Sequence, residues 1–164
     1  MASMIKLAVS FGLVAMLCAG CYPASDANDE AYGGSVDTAA VDTAIVATAT
    51  QTPYGSYLVD AAGISLYLFK ADSRGGKSTC YDRCAEVWPP LLSDGEPEAG
   101  GQAKAGLLGT IERRNGSTQV TYNGWPLYYY APDDEAGDTK GQDVHGFGAE
   151  WYLVTPAGSV VHAE

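Results

Sequence analysis

From about residue 54 onward, apolar and polar positions alternate in short runs separated by turn residues, the period-two pattern of strands that bury one face. Ser56 to Asp60 and Ile64 to Phe69 are two such runs, and Ala61-Ala62-Gly63 between them predicts a hairpin. Leu107 to Arg113, Ser117 to Tyr122 and Trp125 to Tyr130 form a second series, joined by Asn115-Gly116 and Asn123-Gly124. Asn-Gly favours a type I′ turn because both central positions need positive φ, so two in succession predict a three-stranded antiparallel meander. Trp151 to Val154 and Ser159 to His162, around Pro156-Ala157-Gly158, predict a closing hairpin. One short helix is expected over about residues 80–87, capped by Thr79 with Asp82 completing a capping box and stopped by Trp88-Pro89-Pro90. The Gly-rich stretch from Ser93 to Gly106 reads as a loop.

The pattern contains an echo. Gly63-Ile64-Ser65-Leu66-Tyr67-Leu68-Phe69-Lys70-Ala71-Asp72 returns 61 residues later as Gly124-Trp125-Pro126-Leu127-Tyr128-Tyr129-Tyr130-Ala131-Pro132-Asp133. Alternation puts Tyr67 and Phe69 on one face with Leu66 and Leu68 on the other, and Tyr128 with Tyr130 opposite Leu127 and Tyr129. Asp72 and Asp133 fall just past the strand ends, where a carboxylate can accept backbone N–H groups and fix a turn. The fold class is therefore mainly β, with two hairpin-based repeats (about 54–92 and about 107–155) in one small antiparallel domain, 53–164, that has one short helix. The aromatic pairs read as core; the alternative is a ligand platform of exposed rings.

Before that domain the chain changes character. Lys6 followed by the apolar run Leu7 to Leu17 is a targeting leader, too short to span a bilayer. Cys18-Ala19-Gly20-Cys21 resembles a bacterial lipobox, with Cys18 where leucine is usual. Residues 1–20 are thus expected to be removed and Cys21 to carry the lipid; the alternative is a plain secretory signal. Residues 21–52 are rich in Ala, Thr, Ser and Gly, with Asp26, Asp29, Glu30, Asp37 and Asp42 and no Lys or Arg. Such a stretch reads as a flexible acidic tether reaching on the order of 30 Å, although the alternating Ala, Val and Thr of 39–50 also fit a short strand. Loss of Lys6 leaves 8 basic and 20 acidic side chains, a net charge of −12. That surface disfavours nucleic acid and anionic membrane faces, so the lipid would hold the protein to a membrane. Tyr22 after the anchor, rather than Asp, points by resemblance to the outer membrane where one exists.

Candidate chemistry centres on Cys80 and Cys84. In an exported protein this pair reads as a structural disulfide. A redox couple is the alternative, against which stand the Cys-x-x-x-Cys spacing and the lack of a surrounding βαβ pattern. A haem site would need His where Ala85 stands, and zinc would need ligands beyond the distant His145 and His162. The acidic loop around Asp133, Asp134, Glu135, Asp138 and Asp143 lacks the regular alternation of a calcium loop. No hydrolase or phosphate-loop motif is present.

Several motifs occur in order: Leu-Tyr-x-aromatic-x-x-Asp twice, Cys80 to Leu91, Asn123 to Tyr128, and Gly137 to Gln142 leading to Trp151-Tyr152. Together they resemble the secreted-repeat lipoproteins of unknown function, described by a Tyr-x-(Phe/Trp/Tyr)-x-x-Asp motif; here that is Tyr67, Phe69 and Asp72, then Tyr128, Tyr130 and Asp133. The resemblance implies a surface or periplasmic lipoprotein and brings no catalytic residues. The expected function is a non-enzymatic, lipid-anchored envelope protein with no cofactor, binding an envelope protein or a glycan. The alternatives are a redox or electron-transfer accessory using Cys80 and Cys84, and a glycan-binding module using the repeat aromatics.

Overall fold

A computed structural model describes residues 42–162. The leader, Cys21 and the tether up to residue 41 lie outside the described residues. Nine strands are described: β1 (Ile45–Gln51), β2 (Gly55–Asp60), β3 (Tyr67–Phe69), β4 (Glu98–Ala99), β5 (Leu108–Glu112), β6 (Thr118–Tyr122), β7 (Trp125–Pro126), β8 (Val144–Gly146) and β9 (Ala149–Leu153). They form three small sheets in the orders β2-β1-β4, β3-β9-β8 and β5-β6-β7, with one helix, α1 (Arg83–Val87), between β3 and β4.

The first hairpin, the meander and the closing hairpin all form. Asp60 closes the first by accepting the Ala62 and Ile64 N–H groups at 2.9 Å each, and Val154 bridges Val160 in the last. Asn123 and Gly124 both take positive φ, 50° and 81°, as a type I′ turn requires. The Asn115-Gly116 turn does not: only Gly116 has positive φ, and the Asn115 carboxamide instead accepts from Ser117 N–H and Oγ.

Four further expectations are corrected. Residues 45–51 are not tether but β1, paired antiparallel with β2 from Val46–Asp60 to Gln51–Gly55. Only Val46 of this strand is fully buried, so its pattern resembles a solvated segment. The helix begins at Arg83, not Cys80, and Thr79 does not cap it: the Thr79 hydroxyl and N–H both donate to Asp72 Oδ1 at 2.7 Å. The strand expected over 125–130 shrinks to β7 plus a bridge at Tyr128, because its neighbour there is Pro89-Pro90, which has no N–H to donate. Finally, the loop from 93 to 106 carries β4, paired parallel to β1.

The two repeats are related by an approximate two-fold, and they exchange their tails. Tyr67 and Tyr128 face each other across the axis, each donating its N–H to the other's carbonyl at 2.8 and 2.9 Å. The tail of repeat 2 pairs with repeat 1, as in Lys70 N–H to Glu150 O (3.0 Å) and Leu58 N–H to Val154 O (2.8 Å). The tail of repeat 1 reciprocates on repeat 2, in Ala131 N–H to Val87 O (2.9 Å) and Val120 N–H to Leu91 O (2.9 Å). The β3-β9-β8 sheet joins the two repeats, while β2-β1-β4 and β5-β6-β7 each lie within one half and receive single bridges from the other's tail.

Alternation sorts the core into two clusters. Leu58, Leu66, Leu68, Val120, Leu127 and Val154 lie in an aliphatic one; Tyr67, Phe69, Trp88, Tyr128 and Trp151 lie in an aromatic one. In the second, four rings stack in series: Tyr130 on Trp88 (4.1 Å between centroids), Trp88 on Trp151 (3.9 Å) and Trp151 on Phe69 (4.0 Å). Tyr67 meets Trp88 edge-on at 5.5 Å, and Tyr128 meets Trp151 likewise at 5.2 Å. Burying such rings is the largest single apolar gain a small β domain can draw on.

Candidate functional site

The repeat-motif residues converge on the two-fold and are consumed there. Tyr67 is a strand residue of repeat 1, yet its hydroxyl donates to Asp133 Oδ2 of repeat 2 at 2.6 Å. Tyr128 returns the contact to Asp72 Oδ2, also at 2.6 Å. The other oxygen of each carboxylate holds its own loop, Asp72 Oδ1 through Thr79 and Asp133 Oδ1 through the Lys140 N–H at 3.0 Å. One Asp therefore satisfies a local turn and a distant phenol, which explains why the motif needs tyrosine rather than phenylalanine at that position. Burial, followed by the adjacent Asp133, pushes the Tyr67 hydroxyl far above its ordinary pKa; burial and Asp72 do the same to Tyr128. Burial also raises the Asp133 carboxyl, opposed by the hydrogen bonds from Tyr67 and Lys140. Tyr67, Phe69 and Tyr128 are buried and Tyr130 is half-buried against the stack. These aromatics are core, so the glycan platform built on them is overturned.

Cys80 and Cys84 are joined in a disulfide, with Cα atoms 5.2 Å apart, and both are buried in the aromatic cluster. The bond closes the turn that leads into α1 and so fixes Tyr81, which lies between the two cysteines. Around Tyr81 the structure brings together residues that the sequence did not single out. Gly75, Gly76 and Lys77 form one wall of an open cleft of about 640 Å³, Ile111 to Arg114 at the end of β5 form the other, and half-buried Tyr81 lies between. The Arg114 guanidinium carbon sits over the Tyr81 ring at 3.6 Å from its centroid, and that of Arg113 at 4.5 Å. Such cation–π contacts hold a guanidinium in place while leaving its edge free.

Arg113 is itself buried, and a buried cation requires acceptors. It donates to Gln119 Oε1 (2.6 Å), Ser78 Oγ (3.0 Å) and the Cys80 carbonyl (2.7 Å). Ser78 Oγ lies 2.8 Å from the Tyr128 hydroxyl, which donates to Asp72. A chain of hydroxyls thus links the buried guanidinium to the buried motif carboxylate, and the cleft to the two-fold. Lys77 and Arg114 are exposed and make no ion pair among the described residues. Glu112 shares the cleft wall, the one acidic residue of its lining.

The acidic loop is organised by its own lysine. Asp138 accepts from Lys140 Nζ (2.8 Å) and from the Asp134 and Glu135 N–H groups, and the Lys140 contact holds its carboxyl below the usual range. Among the described residues no group of three or more His, Cys, Asp or Glu could hold a metal ion. One signal for the Tyr81 cleft does exist in the sequence: placed 61 residues apart, Lys77 and Tyr81 align with Asp138 and Gln142, a difference inside an otherwise repeating frame.

A family model described as a secreted repeat of unknown function matches residues 48–92 and 109–155. No curated protein and no solved structure matches the chain.

Proposed function

Because the chain belongs to the secreted repeats of unknown function, we propose that it is an exported, lipid-anchored envelope protein whose β domain is a non-catalytic binding module. The observation that carries this reading is the internal use of the motif. Tyr67, Tyr128, Asp72 and Asp133 satisfy one another across the two-fold, so the repeated residues build a scaffold. Recognition then falls to the loops, where the two copies differ. The lipobox-like Leu17 to Cys21 supplies the anchor, and several acyl chains hold a protein at a membrane where a single one does not. Burial of both cysteines supports a holding role for the disulfide, because exchange needs an accessible sulfur and a thiolate to attack it.

Metabolic labelling with radioactive palmitate tests the anchor. The full chain incorporates label and partitions with membranes, whereas Cys21→Ala loses both properties. A Cys21→Ala protein that stays with the membrane fraction would refute lipid attachment at this residue.

A further inference from the structure

The two repeats serve as controls for one another. Leu66 N–H to Leu58 O and Leu127 N–H to Val120 O are the same contact in the two copies, which aligns β2 with β6 at an offset of 62 residues. By that offset Arg113 and Arg114 correspond to Gln51 and Thr52; in the facing loop, where Asp72 accepts from Thr79 N–H as Asp133 does from Lys140 N–H, the offset is 61, and Lys77 and Tyr81 correspond to Asp138 and Gln142. The counterpart wall faces its loop in the same way, since Gln51 Oε1 lies 3.9 Å from where a Cβ on Gly137 would stand. The scaffold therefore tolerates Asp for Lys, Gln and Thr for two Arg, and Gln for Tyr, with the motif and its Asp turn intact. Three of the chain's nine Lys and Arg residues are gathered here against a net charge of −11. Folding accounts for Arg113, whose buried guanidinium satisfies Gln119, Ser78 and the Cys80 carbonyl, but not for exposed Lys77 and Arg114.

We propose that this cleft binds a carboxylated sugar, of the uronic-acid type, through its carboxylate. The proposal deepens the binding reading above and is independent of the lipid anchor. Arg114, its guanidinium carbon 3.6 Å from the Tyr81 ring centroid, can grip a planar carboxylate with two parallel hydrogen bonds. Exposed Lys77 on the opposite wall adds a mobile point charge, and Arg113 behind them contributes its field, both of its terminal nitrogens being already hydrogen-bonded. Glu112 decides between ligands. It repels a second negative charge beside the one in the clamp and accepts from hydroxyl donors, so a sugar ring with one carboxylate among hydroxyls fits where a polyphosphate, with its contiguous charges, does not. With two guanidinium groups over its ring, Tyr81 supports cations, which favours an anionic sugar over a neutral one. The cleft volume is in the range of small-ligand sites. The acidic surface beyond it favours a short oligosaccharide or a chain end over a long polyanion.

The test titrates the full chain, purified in detergent, with trigalacturonate by calorimetry, and with galactotriose, tripolyphosphate and triglutamate as separate arms. Trigalacturonate binds and the neutral trisaccharide does not. The double variant Lys77→Gln/Arg114→Gln weakens binding by at least about tenfold, the loss expected for charge-assisted contacts. Glu112→Gln improves tripolyphosphate binding relative to trigalacturonate. Both positions of the double variant are exposed, and its near-ultraviolet circular dichroism establishes that it is folded. No trigalacturonate binding, or binding that the double variant leaves unchanged, overturns the proposal. Tripolyphosphate or triglutamate binding at least as tightly as trigalacturonate reassigns the cleft to phosphate or acidic peptide and also overturns it. Palmitate labelling reads the anchor separately, so a failed titration with intact labelling removes the ligand and leaves the localisation standing.

Discussion

The phenols at the two-fold are held neutral by their surroundings, and this makes stability depend on pH in a fixed direction. Burial and a facing carboxylate raise the pKa of Tyr67 (Asp133), Tyr128 (Asp72) and Tyr129 (Asp60). An unfolded chain releases these protons near the ordinary value of 10.0, the native protein only far above it. Their contribution is therefore complete below pH 10.0 and is lost as pH rises beyond it, because the unfolded state then binds fewer protons than the native state. The urea midpoint should fall steeply above that pH, and tyrosinate absorbance from the buried phenols should appear together with the loss of near-ultraviolet dichroism. Absorbance from all the tyrosines rising while the dichroism persists would contradict the buried, carboxylate-paired geometry. The hydroxyl of tyrosine, invisible to a pattern of apolar positions, is what separates this core from one built on phenylalanine.

At the scale of elements, packing against the aromatic stack sets tolerances that neighbouring turns do not share. A Cβ on Gly141 would lie 2.8 Å from Tyr67 Cζ and 2.9 Å from Trp88 Cη2, both buried rings with no free space to move into. Gly141→Ala should cost about 1–3 kcal/mol, the usual penalty for overpacking. Gly106→Ala, with nothing within 4 Å of its added methyl, should leave the urea midpoint nearly unchanged; equal losses at the two sites would argue against a stack pressed on Gly141. Local signals made much of the fold legible: alternation placed Leu66 and Tyr67 on opposite faces, and Asn123-Gly124 fixed its turn by φ alone. The rest depended on distant partners. A single buried Val46 could not distinguish β1 from a solvated segment. Pro89-Pro90 reads locally as a helix stop, yet its larger effect is to withhold donors from Tyr128 and its neighbours. The cleft escaped notice because Tyr81 and Arg114 are unremarkable singly and meet only after β5 folds over the loop that precedes α1.

Tail exchange makes the described domain a single cooperative unit despite its two copies. Each repeat adds hydrogen bonds from the other's tail to those of its own hairpins, each motif Tyr needs the other's Asp, and the Trp88–Trp151 stack crosses the axis. A lone repeat would bury half an aromatic stack and leave Asp72 or Asp133 without its phenol, and a domain of that size has little surplus stability to absorb such losses. Fragments 42–104 and 105–162, divided before the short 3-10 turn at Ala105–Leu107, should each lack cooperative unfolding. Mixed in equal amounts, they should recover the near-ultraviolet dichroism of the intact chain, since parallel rings 3.9 Å apart couple strongly only when both tryptophans are in register. Each fragment could instead try to pair with a second copy of itself, but the halves are matched unequally. Repeat 2 offers Gly141 as the space that Tyr67 and Trp88 occupy, while repeat 1 places Cys80 at the corresponding position. Association of unlike fragments should therefore outcompete self-association by sedimentation analysis. A fragment that unfolds cooperatively as a monomer would show that the exchange decorates two independent domains; recovery only on mixing would show that the exchange makes them one.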